Sequence, residues 1–206
     1  MNYGIKPQVW AAFITIVAAI AAVVALIGGN FGWAALFAVL TVGGWAAARA
    51  LNRRDPVPLP PALRWFMFVP RGQSARSLAK ILSPKAGERI LEVGPGPGVH
   101  ALFVARALLP GGVLEALDIQ PEMLDHLKRR AESAGVTNIV TKQGDAQALP
   151  YSAGTFDAAY VIGAMGEIPD DAAALAELRR VLKPGGRLVV GEAFIDPDFI
   201  SLSALE

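Results

Sequence analysis

Five residues, Gly94-Pro95-Gly96-Pro97-Gly98, follow a short apolar run that ends in Glu92-Val93. Alternating glycines after a strand let the backbone come close to a small ligand, because no Cβ stands in the way. A phosphate cradle works by pointing backbone N–H groups at oxygen, and Pro95 and Pro97 have none to offer. A dinucleotide loop reads G-x-G-x-x-G; here the third glycine comes one residue early and position 99 is Val. That spacing disfavours a nicotinamide dehydrogenase, and the absence of Gly-Lys-Ser/Thr argues against a Walker loop. Asp118 ends a second apolar run, "VLEALDI", where a carboxylate can accept hydrogen bonds from both hydroxyls of a ribose. Asp145, in "KQGDAQALP", is placed to accept from an adenine amino group. One acidic residue with each of three successive strands makes a three-point clamp for an adenosine-containing cofactor.

These residues need a scaffold that delivers strand ends to one crevice. From residue 74 the pattern alternates. Strands are predicted over 89–93, 113–118, 138–143, 156–162 and 187–193, and helices over 74–82, 99–109, 121–134 and 172–182. Strands separated by helical patterns imply right-handed βαβ units and a parallel sheet. The fold class is therefore α/β, a Rossmann-like doubly wound sheet, which binds ligands at the carboxyl ends of its strands where strand order reverses. Pro121 suits a first helical turn and Gly135 a helix C-terminus. Asp170 and Asp171 suit the positive end of a helix dipole.

The first 52 residues are different. The chain of 206 residues is 53% hydrophobic and only 18% charged, against roughly 25% charged in an average soluble domain. The imbalance is local, since no Asp, Glu, Lys or Arg occurs between residues 7 and 48. Two apolar spans, about 9–28 and 33–51, are separated by "GGNFG". Each is long enough to cross roughly 30 Å of hydrocarbon as a helix, and the short turn makes the pair an antiparallel hairpin. A cleaved signal would have a shorter apolar core of about 7–15 residues, and a soluble hairpin would need a charged face. Lys6, Arg49, Arg53 and Arg54 flank the pair on one side, which puts both termini and the following domain in the cytoplasm of a two-span cell-membrane protein. Gly43 and Gly44 could let the helices approach closely. Residues 53–73 form a Pro-rich linker. Its "LRWFMFVPR" segment suits either the headgroup boundary of an anionic leaflet or packing against the domain over 74–206.

Other classes fall away on composition. A formal net charge of +1 gives no electrostatic case for nucleic acid. With no cysteine there is no disulfide, thiolate metal site or cysteine nucleophile. Two histidines, His100 and His126, do not share a metal-ligand spacing, so no metal is expected.

"LEVGPGPG", "ALDIQPEML", "GDAQALPYSAGTFDAAY" and "ELRRVLKPGGRLVV", in this order, resemble the successive motifs of class I S-adenosylmethionine-dependent methyltransferases. The likeness is closest to the quinone and phospholipid methyltransferase group. The resemblance covers most of residues 86–190 and implies S-adenosylmethionine as methyl donor. It puts Glu92, Gly94, Gly96 and Gly98 around the methionine part of the cofactor, Asp118 at the ribose and Ile119 beside the adenine. Asp145 and Ala146 match the adenine end, and Val161 lies near the methionine part. The bland alternative for Gly98 is helix–strand packing.

Methyl transfer from a sulfonium is an in-line displacement, so alignment and desolvation dominate. A general base is needed only for an acceptor that must lose a proton. Glu167 or Asp170, after the fourth strand, could face a substrate; for Glu167 a surface or helix-cap role is the alternative. His100 is a second candidate, while Tyr160 packs within its strand and His126 is a solvated helix residue. Membrane attachment favours a lipid acceptor, either a phospholipid amine or an isoprenoid quinone. The family usually adds a further helix and an antiparallel strand pair after strand five, whereas this sequence reaches only "FIDPDFISLSALE". Truncation, a partner or second copy covering the strand-five edge, or a catalytically inactive anchored scaffold would each account for that.

Overall fold

The computed structural model describes residues 6–52, 54–56, 58 and 72–192. The "LRWFMFVPR" segment and residues 193–206 lie outside the described residues. The chain forms two compact units, one built on a helix pair and one on a sheet.

The first unit pairs α1 (Pro7–Ile27) with α2 (Phe31–Asn52). Both helices are long and apolar enough to cross a membrane. Their packing inverts the order of a water-soluble protein. Ala18 and Ala48 are the buried apolar residues, while Ile14, Ile20, Val24, Phe31, Trp33 and Val39 all face outward. A small-residue seam with large apolar residues outside is how helices associate in lipid, where bulk hydrophobicity drives nothing. At the seam, a Cβ on Gly44 would lie 2.5 Å from Thr15 Oγ1, whereas one on Gly43 would meet nothing within 4 Å. Only Gly44 serves the close approach. Thr15 and Thr41 return their hydroxyls to the carbonyls of Ala11 and Phe37, each at 2.8 Å, so neither leaves a polar group unsatisfied. Beyond the helix ends, Lys6 Nζ meets Asp55 Oδ2 at 2.7 Å, which brings the two flanks of the hairpin together.

The second unit is a five-stranded parallel sheet. In chain order it contains α3 (Gly72–Leu82), β1 (Arg89–Val93), α4 (Ala101–Ala107), β2 (Val113–Asp118), α5 (Pro121–Ser133), β3 (Ile139–Gln143), β4 (Phe156–Ile162), α6 (Asp171–Val181) and β5 (Leu182–Gly191). Strand order is β3-β2-β1-β4-β5, so the direction of winding reverses between β1 and β4. The core forms two layers. Residues of α3, α4 and α5 pack with Ile90, Leu114, Ala116 and Tyr160 on one face. Leu91, Val93, Leu117, Phe156 and Val161 pack with α6 residues on the other. Alternation along each strand supplies both layers, and burial on both faces explains the near-continuous apolar runs.

Several boundaries move from their sequence expectation. The helix expected over 99–109 is shorter, because residues 96–100 are taken up by the turn that leaves the glycine loop, and Pro110 disfavours helix at Leu109. The fifth strand begins earlier, since Leu182 already pairs with Phe156. The ladder is then interrupted and resumes at Arg187, opposite Ala158, so residues 183–186 bulge out. Among the described residues β5 is paired on one side only. Arg187 anchors the point where the ladder resumes by donating to the Leu82 carbonyl (2.9 Å) and to Glu88 (2.7 Å).

Candidate functional site

The glycine loop leaves β1 at the reversal point. The Gly94 amide continues the ladder by donating to the Leu117 carbonyl at 2.9 Å, and the Gly98 amide closes a turn onto the Pro95 carbonyl at 2.9 Å. Gly94, Gly96 and Gly98 all have positive φ, at 67°, 50° and 79°, a region that side chains disfavour. Space adds a second requirement at two of them. A Cβ on Gly94 would lie 2.6 Å from the Ala164 Cβ, where the loops after β1 and β4 meet. A Cβ on Gly98 would lie 2.4 Å from Leu127 Cδ1 of α5. Gly98 therefore has a packing role, against side chains of α5 and α4 and not the helix–strand packing that was its bland alternative. The two prolines leave the loop few amides, and one of its carbonyls is met from outside: the Arg130 guanidinium on α5 donates to the Pro97 carbonyl.

Two carboxylates line the strand ends beside this loop. Glu92 is only 2% exposed, and Asp118 8%. Glu92 pairs in register with Tyr160 across the β1–β4 ladder, so the two side chains rise from the same face. Burial pushes the Glu92 carboxyl up to about 8; the Tyr160 hydroxyl offsets part of this and the negative Asp118 adds to it. Burial and the same Glu92 charge push the Tyr160 phenol up. Neither Glu92 Oε2 nor Tyr160 Oη has a hydrogen-bond partner of good geometry, although they are near neighbours. Asp118 Oδ1 accepts from the Gln120 amide at 2.9 Å. Burial raises Asp118 to about 6, against the pull of the Gln120, Gly96 and Ile119 amides. A buried acid with an unsatisfied oxygen fits a cationic or hydrogen-bond-donating ligand group, since such a group relieves the desolvation that holds the proton on.

The third acid lies in a capped turn. Asp145 Oδ1 accepts from the Gln147 amide at 2.9 Å, and both of its oxygens receive Gln147 Nε2. This starts the 3-10 turn Ala146–Ala148, in which Ala146 is buried. Gln147 Oε1 in turn accepts from the Asp170 amide at 3.1 Å. A carboxylate has lone pairs for more than these bonds, so the cap still leaves Asp145 acceptor capacity. Ile119, just after β2, keeps 45% of its surface open and presents an apolar face beside Asp118. Val161 is fully buried in the core layer facing α6 and paired with β1 and β5 on its two sides, so the structure does not open it to a ligand.

The two candidate bases differ in setting. His100 caps α4 and is 7% exposed. Glu167 is half-buried in the 3-10 turn Met165–Glu167 after β4. Asp170 is the N-cap of α6, with Oδ1 accepting from the Ala173 amide at 2.9 Å, so one of its oxygens is engaged at the helix end and not free to face a substrate. Among the described residues no cluster of three or more His, Asp or Glu could hold a metal ion. Sequence reasoning missed Gln147, Arg130 and Glu192. Glu192 accepts from the Met165 amide at 3.0 Å and ties the end of β5 to the turn after β4.

Comparison with known proteins agrees with this architecture. Residues 90–186 match the family model described as a methyltransferase domain. A demethylmenaquinone methyltransferase of Thermus thermophilus is 41% identical over 108 residues, which is 52% of this chain and 48% of that protein. A 37.1 kDa protein from a Streptomyces fradiae transposon is 38% identical over 160 residues, 76% of this chain and 45% of its own length. The chain thus spans about half the length of the curated relatives it matches. A crystal structure of an S-adenosylmethionine-dependent methyltransferase from Aquifex aeolicus shares the fold, with a TM-score of 0.60 at 22% identity over 65% of this chain and 72% of the other. With a glycine loop at the sheet's reversal point and acids at the ends of β1 and β2, residues 90–186 form a methyltransferase domain, and the sheet has the fold of S-adenosylmethionine-dependent methyltransferases.

Proposed function

We propose that the chain is a membrane-anchored methyltransferase that transfers the methyl group of S-adenosylmethionine to a lipid-soluble acceptor, a phospholipid amine or an isoprenoid quinone. The observation that carries the reading is the pair of buried acids, Glu92 and Asp118, flanking a loop of three positive-φ glycines. S-adenosylmethionine supplies a methyl group on a sulfonium, a good leaving group. The residues' task is alignment and exclusion of water. The glycines admit the methionine part, Asp118 receives the ribose hydroxyls, Ile119 flanks the adenine, and Asp145 with Ala146 bounds the adenine end. Glu92, held near neutrality by burial, meets the positive methionine end. In such a site proximity and desolvation supply most of the rate. A base is called on only if the acceptor must lose a proton, and Glu167 and His100 are the candidates.

The head supports the lipid acceptor. Its seam of small residues and its outward large apolar residues suit lipid, and Lys6, Arg49 and Arg54 lie at the same end of the hairpin. That charge asymmetry favours a cytoplasmic position for both flanks. A covalent tether to the bilayer raises the effective concentration of lipid at the crevice. A partner or second copy along the side of β5 that is unpaired among the described residues belongs to the same reading, because open strand edges are normally covered.

The test uses the full chain in lipid nanodiscs. Calorimetry with S-adenosylhomocysteine checks the cofactor site. Methyl-labelled S-adenosylmethionine then checks transfer to extracted phospholipids and quinones. The proposal expects binding and a labelled lipid fraction. Binding without label in any lipid would point instead to an anchored scaffold, and no binding would reject the cofactor site.

A further inference from the structure

The glycine loop has few bonds of its own. Its two prolines donate nothing, the Gly94 amide is committed to Leu117, the Gly98 amide closes on Pro95 within the loop, and the Gly96 amide faces Asp118. The Pro97 carbonyl is met by Arg130, 33 residues away on α5. Leu127, one turn earlier on the same helix face, closes against Gly98. The helix begins at Pro121, three residues after Asp118, whose carboxylate accepts from the Gln120 amide at the helix N-cap. One rigid element thus touches both sides of the crevice, the acid through its first turn and the loop through its last two. The Arg130 guanidinium is partly desolvated, which lowers its pKa and strengthens a charge-assisted bond to a carbonyl.

We infer that Arg130 is a positioning residue for the cofactor: through the Pro97 carbonyl it locks the glycine loop at the distance from Asp118 that binding requires. The inference rests on the cofactor reading above. It assigns Arg130 no contact with the ligand. Removing the guanidinium takes the side-chain donor from the Pro97 carbonyl and loosens this side of the loop, while the strands keep their own ladder.

The experiment compares Arg130→Met and Arg130→Lys with the wild type, as full chains in nanodiscs. Two readouts are taken: affinity for S-adenosylhomocysteine by calorimetry, and amide hydrogen exchange without ligand. R130M is expected to weaken affinity by about ten-fold or more, in line with loss of a hydrogen bond from a charged group. Exchange is expected to quicken at residues 94–99 while β1 and β2 stay protected. R130K keeps a donor of similar reach and is expected to recover part of the affinity, which a purely volumetric role of the side chain would not do. Affinity of R130M within two-fold of wild type overturns the inference, as does loss of protection across β1 and β2 in both variants. A wild type that binds no S-adenosylhomocysteine removes the cofactor reading and the inference with it. A wild type that binds, with variants that bind equally, removes only the inference.

Discussion

Replacing Gly98 with alanine tests the loop's architecture most directly. Two separate penalties are expected. The backbone sits at φ 79°, and a left-handed conformation costs a side-chain-bearing residue about 1–2 kcal/mol. The new Cβ would also stand 2.4 Å from Leu127 Cδ1 and 3.2 Å from Leu102 Cδ1. Leu127 is fully buried and has little room to retreat, so overpacking adds about 1–3 kcal/mol. The sum, about 2–5 kcal/mol, is a large share of the roughly 5–15 kcal/mol that holds a typical domain together. Gly135→Ala is the control: its φ is 65°, but a Cβ there meets nothing within 4 Å, so only the conformational penalty of about 1–2 kcal/mol applies. Tryptophan fluorescence is unsuitable, because three of the four tryptophans, at positions 10, 33 and 45, lie in the helix pair. Urea unfolding of the full chain followed by pulse proteolysis reads the domain instead. Gly98→Ala measured in a Leu127→Ala background should lose most of its excess over Gly135→Ala. Equal destabilisation by the two glycine substitutions, or no relief from Leu127→Ala, would refute the packing argument.

Glu92 should make stability fall with rising pH. Between its ordinary value of 4.5 and its folded value of about 8 the unfolded chain has lost the proton that the folded chain keeps, so this group's contribution declines across that window and levels off above it. Glu92→Gln should flatten that part of the profile, and parallel profiles for the two proteins would reject the assignment. Arg187→Ala should lower domain stability by about 1.5–3 kcal/mol, the range for hydrogen bonds to charged groups, because the Leu82 carbonyl loses its guanidinium donor and Glu88 keeps only the Lys85 amide; denaturant midpoints check it. Gly44→Val should lower the thermal midpoint of the hairpin's helical circular-dichroism signal in detergent, whereas Gly43→Val should not, because only Gly44 faces Thr15.

Much of the scaffold was legible because it rests on local chemistry. Alternating apolar runs, glycine punctuation and helix caps act within a few residues of themselves, so all five strands and the four helices of the sheet domain could be placed before any contact was known. The glycines at 94, 96 and 98, with Asp118 and Asp145 at later strand ends, pointed to one crevice, since a parallel sheet brings successive strand ends to the same side. The boundaries that moved were those set by partners distant in the chain. Leu182 joined β5 through Phe156 and then bulged. Asp170 became a helix cap, a role its neighbour Asp171 could have filled on sequence alone.

By itself the sequence determined the charge-free head, the α/β alternation and the positions that must be glycine or acid. Each depends on residue type and spacing along the chain. Tertiary structure alone decided why those residues matter. Gly98 is required by Leu127, 29 positions on. Glu92 keeps its proton because packing buries it, beside the negative Asp118. Gly44, and not Gly43, faces the partner helix. Arg130 reaches a carbonyl that any donor could have met. Such contacts join residues far apart in the chain, leave no period in the sequence, and become visible only when packing has fixed the distances between them.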